Sequence, residues 1–337
     1  MRIIVDAMGG DHAPAAPLEG AVRAVRELGV QIVLCGDEKQ INAIAREQGY
    51  SMDGIEIMHT EEVITMHDTP TDIVKAKENS SMAMGLKALR EGKGDAFVSA
   101  GNSGALLVGA TMLTRRIKGI QRPAMAPILP TADGHAILMD AGANVECRPE
   151  MLLQFAMMGS VYMEKVMGIK EPKVGLINNG SEECKGRALE QQTYALLKNS
   201  DLHFYGNIEA REVPSGNCQV LVTDGFTGNV VLKLYEGLGS FFAKKVKAMF
   251  TGIGKIGALF IMNKLRAFRD SMDYKKVGGA VLLGIAYPVI KGHGSSDGGA
   301  MFHAIRQAKT CVDGKVVETI TEALAAQKLR SKQQSES

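Results

Sequence analysis

Residues 96–106 read AFVSAGNSGAL, an apolar run that ends in a loop of glycine and small polar residues and leads into a helix-like segment. Six apolar runs in the chain end in such a loop, and helix-like sequence follows five of them. The loops are DAMGGDHAP (6–14), SAGNSGAL (99–106), DAGANVE (140–146), NNGSEECKG (178–186), TDGFTGN (223–229) and KGHGSSDGG (291–299). This alternation predicts an α/β fold with the loops along the carboxyl edge of one mostly parallel sheet.

The chemistry of the loops indicates an anion site. The carboxyl edge of a parallel sheet is where α/β proteins bind ligands. Glycine lets the backbone come close to an anion, helix N-termini direct N–H groups at it, and Asn, Ser, Thr, Lys and His side chains add donors. The loops therefore predict a site for phosphate or another oxyanion.

Composition excludes several classes of protein. With 337 residues and 45% hydrophobic content, the chain is long enough for one large α/β unit or two lobes. The formal net charge of +2 gives no global field for nucleic acid. Five cysteines without a CxxC pair indicate reduced thiols in a cytosol rather than disulfides or a zinc knuckle. The longest apolar stretch, 278–290, is too short to span a bilayer, so we expect a soluble or peripheral protein.

Helical periodicity recurs between the strand-like runs. It predicts helices over 18–28, 38–48, 80–92 and 149–167, the last rich in methionine. Methionines at helical spacing are typical of a core, although a flexible apolar groove stays open as an alternative. We expect one catalytic domain over 1–327 and a disordered tail over 328–337.

Residues 232–276 predict a helical hairpin that protrudes from the domain. Seven basic residues and no acidic one occur over 244–269, among apolar residues at helical spacing. This composition suits a helix at a membrane surface or a face for an acidic partner, and packing in a dimer is the alternative. The predicted membrane contacts are Leu259, Phe260, Ile261, Lys264 and Arg266.

Two motif matches compete with an anion site. The sequence GIGKIG (252–257) fits GxGxxG but follows no strand, so we reject a dinucleotide site there. The sequence GSSDG (294–298) fits GxSxG after a strand, which makes Ser296 a candidate hydrolase nucleophile. The order of residues opposes this reading, because the last histidine, His303, lies only seven residues beyond Ser296. No HExxH and no His/Cys cluster indicates a metal, and we expect no cofactor.

The loops together resemble the bacterial phosphate acyltransferases of phospholipid synthesis, the PlsX family. The matching pieces cover nearly the whole chain: VDAMGGDHAP, VSAGNSGAL, DAGAN, VGLINNGSEECKG, GNIEAREV, VTDGFTGNVVLKLYEG, VGGAVLLG and IKGHGSSD. The resemblance implies a three-layer α/β/α fold like that of isocitrate and isopropylmalate dehydrogenases. It also implies transfer of a long-chain fatty acyl group from acyl carrier protein to inorganic phosphate, which forms acyl phosphate.

The resemblance also implies partners and a location. It predicts a homodimer in the cytoplasm, loosely associated with the anionic inner face of the cell membrane. There the acyl phosphate would pass to a membrane glycerol-3-phosphate acyltransferase. No nucleic acid is expected.

Candidate catalytic residues follow from the chemistry of acyl transfer. A thioester is already activated and phosphate is the nucleophile, so the protein must position the anion and stabilise a tetrahedral oxyanion. Lys185 is the first candidate for neutralising the phosphate charge or stabilising the oxyanion. The alternative is that Lys185 is an ordinary solvated lysine. Asn229 has an amide that could donate to phosphate or to the carbonyl oxygen, unless it caps a helix. His12, beside Asp11, is placed to orient phosphate or to protonate the leaving thiolate, unless it holds the loop backbone.

Candidate phosphate-binding residues lie in four of the loops, and Asp11 is the candidate in the first of them. Gly101, Asn102, Ser103 and Gly104 form a predicted backbone cradle, in which Ser103 takes a position where the family resemblance implies threonine. Asp140, Asn144 and Asp224 also lie at this edge, where they are expected mainly to hold loops by hydrogen bonds.

Two other functions remain open at this point. A phosphotransacetylase-like enzyme would take short acyl groups from coenzyme A. A non-catalytic membrane scaffold would bind an anion in the loops without turnover.

Overall fold

The computed structural model describes residues 1–249 and 278–336, and its strands form two sheets. In chain order the strands are β1 Arg2–Asp6, β2 Gln31–Gly36, β3 Ile55–His59, β4 Ala96–Ser99, β5 Ala124–Ala126, β6 Ile128–Thr131, β7 Gly134–Met139, β8 Val174–Asn178, β9 Phe204–Glu209, β10 Val220–Val222, β11 Ala280–Leu283 and β12 Val289–Lys291. The first sheet has the order β3-β2-β1-β4-β12-β11-β5 and the second β6-β7-β10-β8-β9. The predicted α/β class with mostly parallel strands is confirmed, but the strands are divided between two sheets.

One extended stretch of chain joins the sheets. β5 pairs antiparallel with β11 at the edge of the first sheet, and β6 pairs antiparallel with β7 at the edge of the second. Only Pro127 separates β5 from β6, and its carbonyl oxygen accepts from Leu138 N at 3.0 Å. Proline has no N–H for a ladder, so the pairing is interrupted at this position. The two sheets are therefore continuous in space.

The predicted helices are confirmed with small shifts of their ends. The α-helices are α1 Ala15–Leu28, α2 Glu38–Gln48, α3 Ser81–Arg90, α4 Ser103–Gly109, α5 Pro149–Lys165, α6 Ala188–Lys198, α7 Gly225–Met249, α8 Gly298–Asp313 and α9 Val316–Glu336. A π-helical turn, Ala110–Thr114, follows α4 directly.

Helices cover both faces of the first sheet, as a three-layer fold requires. In β1, Ile3 and Val5 belong to one buried cluster and Ile4 to another, because alternate side chains point to opposite faces of a strand. The first cluster also holds residues of α1, α5 and α8 and extends under the second sheet. Gly20 lets α1 approach α8 closely, since an added Cβ would lie 2.6 Å from Cβ of Met301. The methionines of α5 are mostly buried in this core, as predicted.

The end of the chain differs from the prediction of a disordered tail. The last helix, α9, runs through Glu336 and is anchored by the buried side chains of Ile320 and Leu324. Lys, Gln, Arg and Glu are good helix formers, so a helix nucleated on these anchors continues into polar sequence. Of the predicted hairpin, the first part lies in α7, and residues 250–277 lie outside the described residues. None of the helices described is long and apolar enough to cross a membrane.

Candidate active site

The carboxyl ends of the two sets of strands meet at the junction between the sheets. At the end of β12, Lys291 pairs with Ala280 of β11. The next residue of β11, Val281, pairs with Ala126, the last residue of β5. At the end of β7, Ala141 N donates to the carbonyl oxygen of Met125 at 2.9 Å. Because β6 and β7 are antiparallel, the strands of the second sheet approach the junction from the opposite direction. All six glycine-rich loops thus lie on the two sides of one region.

Three loops of the first sheet are held together by a buried carboxylate and by close backbone contacts. Asp6 accepts hydrogen bonds at 2.7 Å from Ser81 Oγ and from Ser99 Oγ. Burial raises the pKa of the Asp6 carboxyl, and these two hydroxyl donors act against that rise. Asp11 N donates to the carbonyl oxygen of Gly294 at 2.8 Å, which ties the first loop to the last.

Lys291 is a functional candidate that the sequence motifs did not reveal. It ends β12, is 8% exposed, and its Nζ donates to the carbonyl oxygens of Ala100 and Gly292. Burial lowers the pKa of the Lys291 ammonium to about 8, and the carboxylates of Asp6 and Asp11 oppose this shift. A charged residue at the end of an apolar strand and directly before glycine was the available signal. Its charge adds positive potential to this sheet edge.

The charges of the two sides act on each other. Lys233 of α7, which follows the second sheet, lowers the pKa of Lys291 further by like-charge repulsion. Lys233 also pairs with Glu236 at 2.9 Å. A cation of α7 thus acts electrostatically on the buried lysine of the first sheet.

In the predicted phosphate cradle, some polar groups already form hydrogen bonds within the protein. Asn102 caps α4 by accepting from Ala105 N at 3.1 Å, and its Nδ2 donates to the carbonyl oxygens of Thr65 and Asp68 at 3.2 and 3.4 Å. Its amide thus fastens the segment 60–80 to the sheet edge.

The other cradle residues differ in what they leave available. Gly101 N donates to Ser99 Oγ at 3.0 Å. Gly104 packs against the ring of Pro70, at 2.8 Å from where a Cβ would stand. Ser103 begins α4 and is half-buried, so its hydroxyl is the cradle side chain best placed to meet a ligand.

In the second sheet, Asp140 organises the DAGAN loop, as predicted from the sequence. Its Oδ1 accepts from the backbone N–H of Met125, Gly142 and Ala143 at 2.9 to 3.3 Å. Its Oδ2 accepts from Asn144 N at 2.6 Å and from Asn144 Nδ2 at 2.9 Å. Burial raises the pKa of the Asp140 carboxyl, and the hydrogen bonds act against the rise.

Asn144 and Asp224 also have structural contacts. Asn144 Nδ2 donates to the carbonyl oxygen of Pro123 at 2.8 Å as well as to Asp140. Asp224 caps α7 by accepting from Thr227 N at 2.7 Å, and its other oxygen pairs with Arg187 Nη2 at 2.5 Å. Arg187 also pairs with Glu190, and both carboxylates raise the pKa of the guanidinium. These contacts join the NNGSEECKG loop to the start of α7.

Asn229 and Lys185, which lie in loops of the second sheet, have exposed side chains. The Asn229 side chain lies beside Gly142, with its Oδ1 3.7 Å from where a Cβ would stand. Lys185 precedes α6 by three residues; its side chain is 44% exposed and its Nζ lies 3.9 Å from Glu182 Oε1. In the described part of the chain, no hydrogen bond or ion pair joins Lys185, Asn229 and His12 to one another. His12 is exposed, and its carbonyl oxygen accepts from Ala16 N at 2.9 Å.

The geometry around Ser296 does not suit a nucleophile elbow. Such an elbow holds its serine in a strained turn beside a histidine base. Among the residues described, only Arg115, Glu171 and Lys315 combine a side chain with positive φ. His293 Nδ1 lies 2.9 Å from Ser295 Oγ, the hydroxyl of the residue before Ser296. Ser296 itself is 5% exposed.

Two further expectations concern membrane contacts and metal ligands. Leu259, Phe260, Ile261, Lys264 and Arg266 lie outside the described residues. Within the described residues, no group of three or more His, Cys, Asp or Glu side chains is arranged to hold a metal ion.

Comparison with known proteins places the chain in a family. The family model described as "Fatty acid synthesis protein" matches residues 1–319. The chain belongs to this family. Proteins named phosphate acyltransferase are 48% identical in Alkaliphilus oremlandii (97% of this chain, 98% of that one) and 47% identical in Bacillus licheniformis (96% and 98%). The motif-based resemblance is thereby confirmed.

Solved structures share the fold of this fatty acid synthesis family member. A phosphotransacetylase from Streptococcus pyogenes aligns with a TM-score of 0.64 at 14% identity, over 93% of this chain and 94% of that one. The EutD phosphotransacetylase from Staphylococcus aureus aligns with a TM-score of 0.63 at 17% identity, with the same coverage. A structure from Salmonella typhimurium, assigned as a 4-hydroxythreonine-4-phosphate dehydrogenase, aligns less well, with a TM-score of 0.51 at 12% identity. The alignment covers 92% of this chain and 98% of that one. At these identities the likeness describes the fold.

Proposed function

We propose that the protein transfers a long-chain fatty acyl group from acyl carrier protein to inorganic phosphate and releases acyl phosphate for phospholipid synthesis. The observation that carries this proposal is identity of nearly half over almost the full length of proteins named phosphate acyltransferase. The match to a family of fatty acid synthesis proteins supports the fatty nature of the acyl group.

In the proposed reaction, a phosphate oxygen attacks the thioester carbonyl and the carrier thiolate leaves. The protein must hold anionic phosphate against the neutral thioester carbonyl and stabilise the oxyanion that forms, so cations and amide donors near the junction lower the barrier. Lys185 and Asn229 have side chains exposed at the second sheet and supply these groups. His12, exposed in the first loop, protonates the leaving thiolate or orients phosphate.

A division of roles follows from which side chains are already engaged. The polar side chains of Asn102, Asn144 and Asp224 already bond to neighbouring segments. We therefore assign these residues to positioning the loops rather than to direct contact with the substrate. Ser103, Gly104 and Asp11 remain at the edge of the first sheet as the predicted phosphate-binding group. Replacing Lys185 or Asn229 by alanine should reduce turnover at least about tenfold without unfolding.

The direct test is incubation with long-chain acyl carrier protein, with and without inorganic phosphate. We expect acyl phosphate and free carrier thiol to appear in equal amounts, and only with phosphate. Faster turnover with short acyl-coenzyme A would favour a phosphotransacetylase-like enzyme instead. Binding of phosphate without turnover of either donor would favour a scaffold.

We also propose a homodimer, and α7 carries a surface that supports it. Phe226, Val230, Leu234 and Leu238 recur every four residues and are 46 to 62% exposed, so they form one apolar stripe. Such a stripe suits packing against the same helix of a second copy. Sedimentation should show a dimer for the wild type and a monomer for Leu234→Lys. A Leu234→Lys variant that remains dimeric would contradict this interface.

The proposed location is the inner face of the cell membrane, reached through residues 250–276. Their excess of basic over acidic residues and the apolar Leu259, Phe260 and Ile261 support contact with anionic lipid. Replacing these three residues by glutamate should abolish binding to vesicles of anionic phospholipid and leave activity in solution unchanged. Undiminished vesicle binding would refute the membrane contact.

A further inference from the structure

A basic turn lies between the π-helical turn and β5. Residues 115–122 read RRIKGIQR, and Arg115, Arg116, Lys118 and Arg122 are all exposed. The sequence contains no acidic residue between Asp95 and Asp133. Among the described side chains, none of these four cations forms an ion pair. Arg116 holds the turn itself, because its Nη1 donates to the carbonyl oxygens of Ile120 and Gln121. We call these four residues the basic rim.

The backbone of the rim is held in an unfavourable conformation. Arg115 has φ 72° and ψ 164°, in a region that only glycine adopts without strain. Its carbonyl oxygen accepts from Ala286 N at 3.0 Å, which fixes the turn beside β11. The preceding turn, Ala110–Thr114, is π-helical, a conformation that is rare and frequent at functional sites. An arginine at a glycine-like position indicates that the side chain has a use that glycine would not serve.

The rim is contiguous with the candidate active site. Asn144 Nδ2 donates to the carbonyl oxygen of Pro123, the residue after the rim, and also to Asp140. Arg148, at the start of α5, donates from Nη2 to Gln121 Oε1 at 2.7 Å. The rim and the DAGAN loop are therefore one connected surface at the edge of the site.

We propose that the basic rim docks the acidic face of the protein that delivers the acyl thioester. The inference rests on the proposed function, in which the acyl group arrives on a carrier protein. Unpaired cations on a rigid turn attract an acidic surface and speed its encounter. A membrane is the less suitable partner, because the apolar side chains of the turn, Ile117 and Ile120, are 4% exposed and offer no anchor for lipid.

The test compares a rim variant with a matched control. The rim variant carries Arg115→Gly, Lys118→Ala and Arg122→Ala, where the first change also relieves backbone strain and so favours folding. The control carries Lys39→Ala, Arg46→Ala and Lys170→Ala, which remove three exposed cations elsewhere on the surface. Thermal unfolding establishes that both variants are folded.

Three measurements decide the proposal. With acyl carrier protein as donor, the rim variant should show a KM raised by about tenfold or more and kcat within about twofold of the wild type. With acyl-pantetheine, which has the thioester but no protein, the rim variant should match the wild type. Calorimetry should show weaker binding of carrier protein to the rim variant only, and this difference should shrink as salt rises.

The proposal is overturned if carrier protein binds the rim variant and the control equally. It is also overturned if the rim variant turns over both donors more slowly, because the rim would then act on the chemical step. Loss of vesicle binding with unchanged binding of carrier protein would overturn it as well. Failure of the proposed function looks different: wild-type protein would form no acyl phosphate from either donor. The binding measurement still judges the rim in that case.

Discussion

Replacing Gly228 by alanine tests how closely α7 must approach the DAGAN loop. An added Cβ would lie 1.8 Å from the carbonyl oxygen of Asp140. Even a contact of 3.0 Å would require the first turn of α7 to retreat by roughly 1.2 Å. The obstructing atom belongs to the backbone, so no side-chain rotation relieves the clash. The retreat would also stretch the hydrogen bond from Gly228 N to the carbonyl oxygen of Asp224, now 2.9 Å.

The magnitude follows from two opposed effects. Alanine stabilises a helix relative to glycine by about 0.5–1 kcal/mol, whereas overpacking a filled site costs about 1–3 kcal/mol and sometimes more. A backbone clash belongs to the upper end, so we expect Gly228→Ala to lower the free energy of unfolding by about 3 kcal/mol. Because Asn229 is the next residue, turnover should fall at least about tenfold as its amide is displaced.

Gly239→Ala is the matched control on the same helix. A Cβ at Gly239 meets no described atom within 4 Å, so this variant should be unchanged or stabilised by about 0.5–1 kcal/mol. Urea unfolding followed by circular dichroism gives both free energies, and the acyl phosphate assay gives both rates. Equal stability and equal turnover of the two variants would refute the close approach of α7 to Asp140.

Three further outcomes are expected. Asp140→Asn places an NH₂ group against at least two donors and should lower the free energy of unfolding in urea by about 2–4 kcal/mol; a loss below about 1 kcal/mol would contradict the role of this carboxylate. The folded pKa of Lys291 is about 8 and its unfolded value 10.5, so the folded state binds fewer protons between these values and this group's contribution to stability rises with pH. The unfolding free energy of the wild type minus that of Lys291→Met should therefore increase by about 2 kcal/mol from about pH 7.5 to 9.5, and a constant difference would contradict the burial of this ammonium. Asn102→Asp keeps the cap of α4 but turns an oxygen toward the carbonyls of 65–68, so limited proteolysis should cut this segment faster than in the wild type; an unchanged rate would refute the tether.

Helix ends were predictable where local chemistry determines them. The predicted helix over 38–48 matches α2 to the residue, because Asp37 caps its start and Gly49 ends it in the left-handed conformation. Asp37 accepts from Lys39 N and Gln40 N, contacts that a capping residue signals in any sequence. Such signals lie within a few residues of each other.

The division into two sheets was not predictable from apolar runs. It depends on the antiparallel pairings of β5 with β11 and of β6 with β7 on either side of Pro127. Pairing partners that are far apart in the chain leave no periodic trace in either partner. Likewise, the helical end of α9 depends on the burial of Ile320 and Leu324, which the polar composition of 328–337 conceals.

The site was predictable as a set of loops but not as a set of roles. Glycine and small polar residues indicated the sheet edge, and Asp140 was correctly expected to hold its loop. Whether an amide is available or engaged depends on partners such as Thr65 for Asn102, 37 residues away in the chain. Lys291 was missed because its burial, rather than its residue type, sets it apart.

The most direct test of the account uses inorganic phosphate labelled with ¹⁸O in all four oxygens, together with long-chain acyl carrier protein. If phosphate is the nucleophile, mass spectrometry will show acyl phosphate that retains all four labelled oxygens, and carrier thiol will be released only when phosphate is present. Thiol release without phosphate, with unlabelled fatty acid as the product, would show that water is the acceptor and would contradict the proposed transfer.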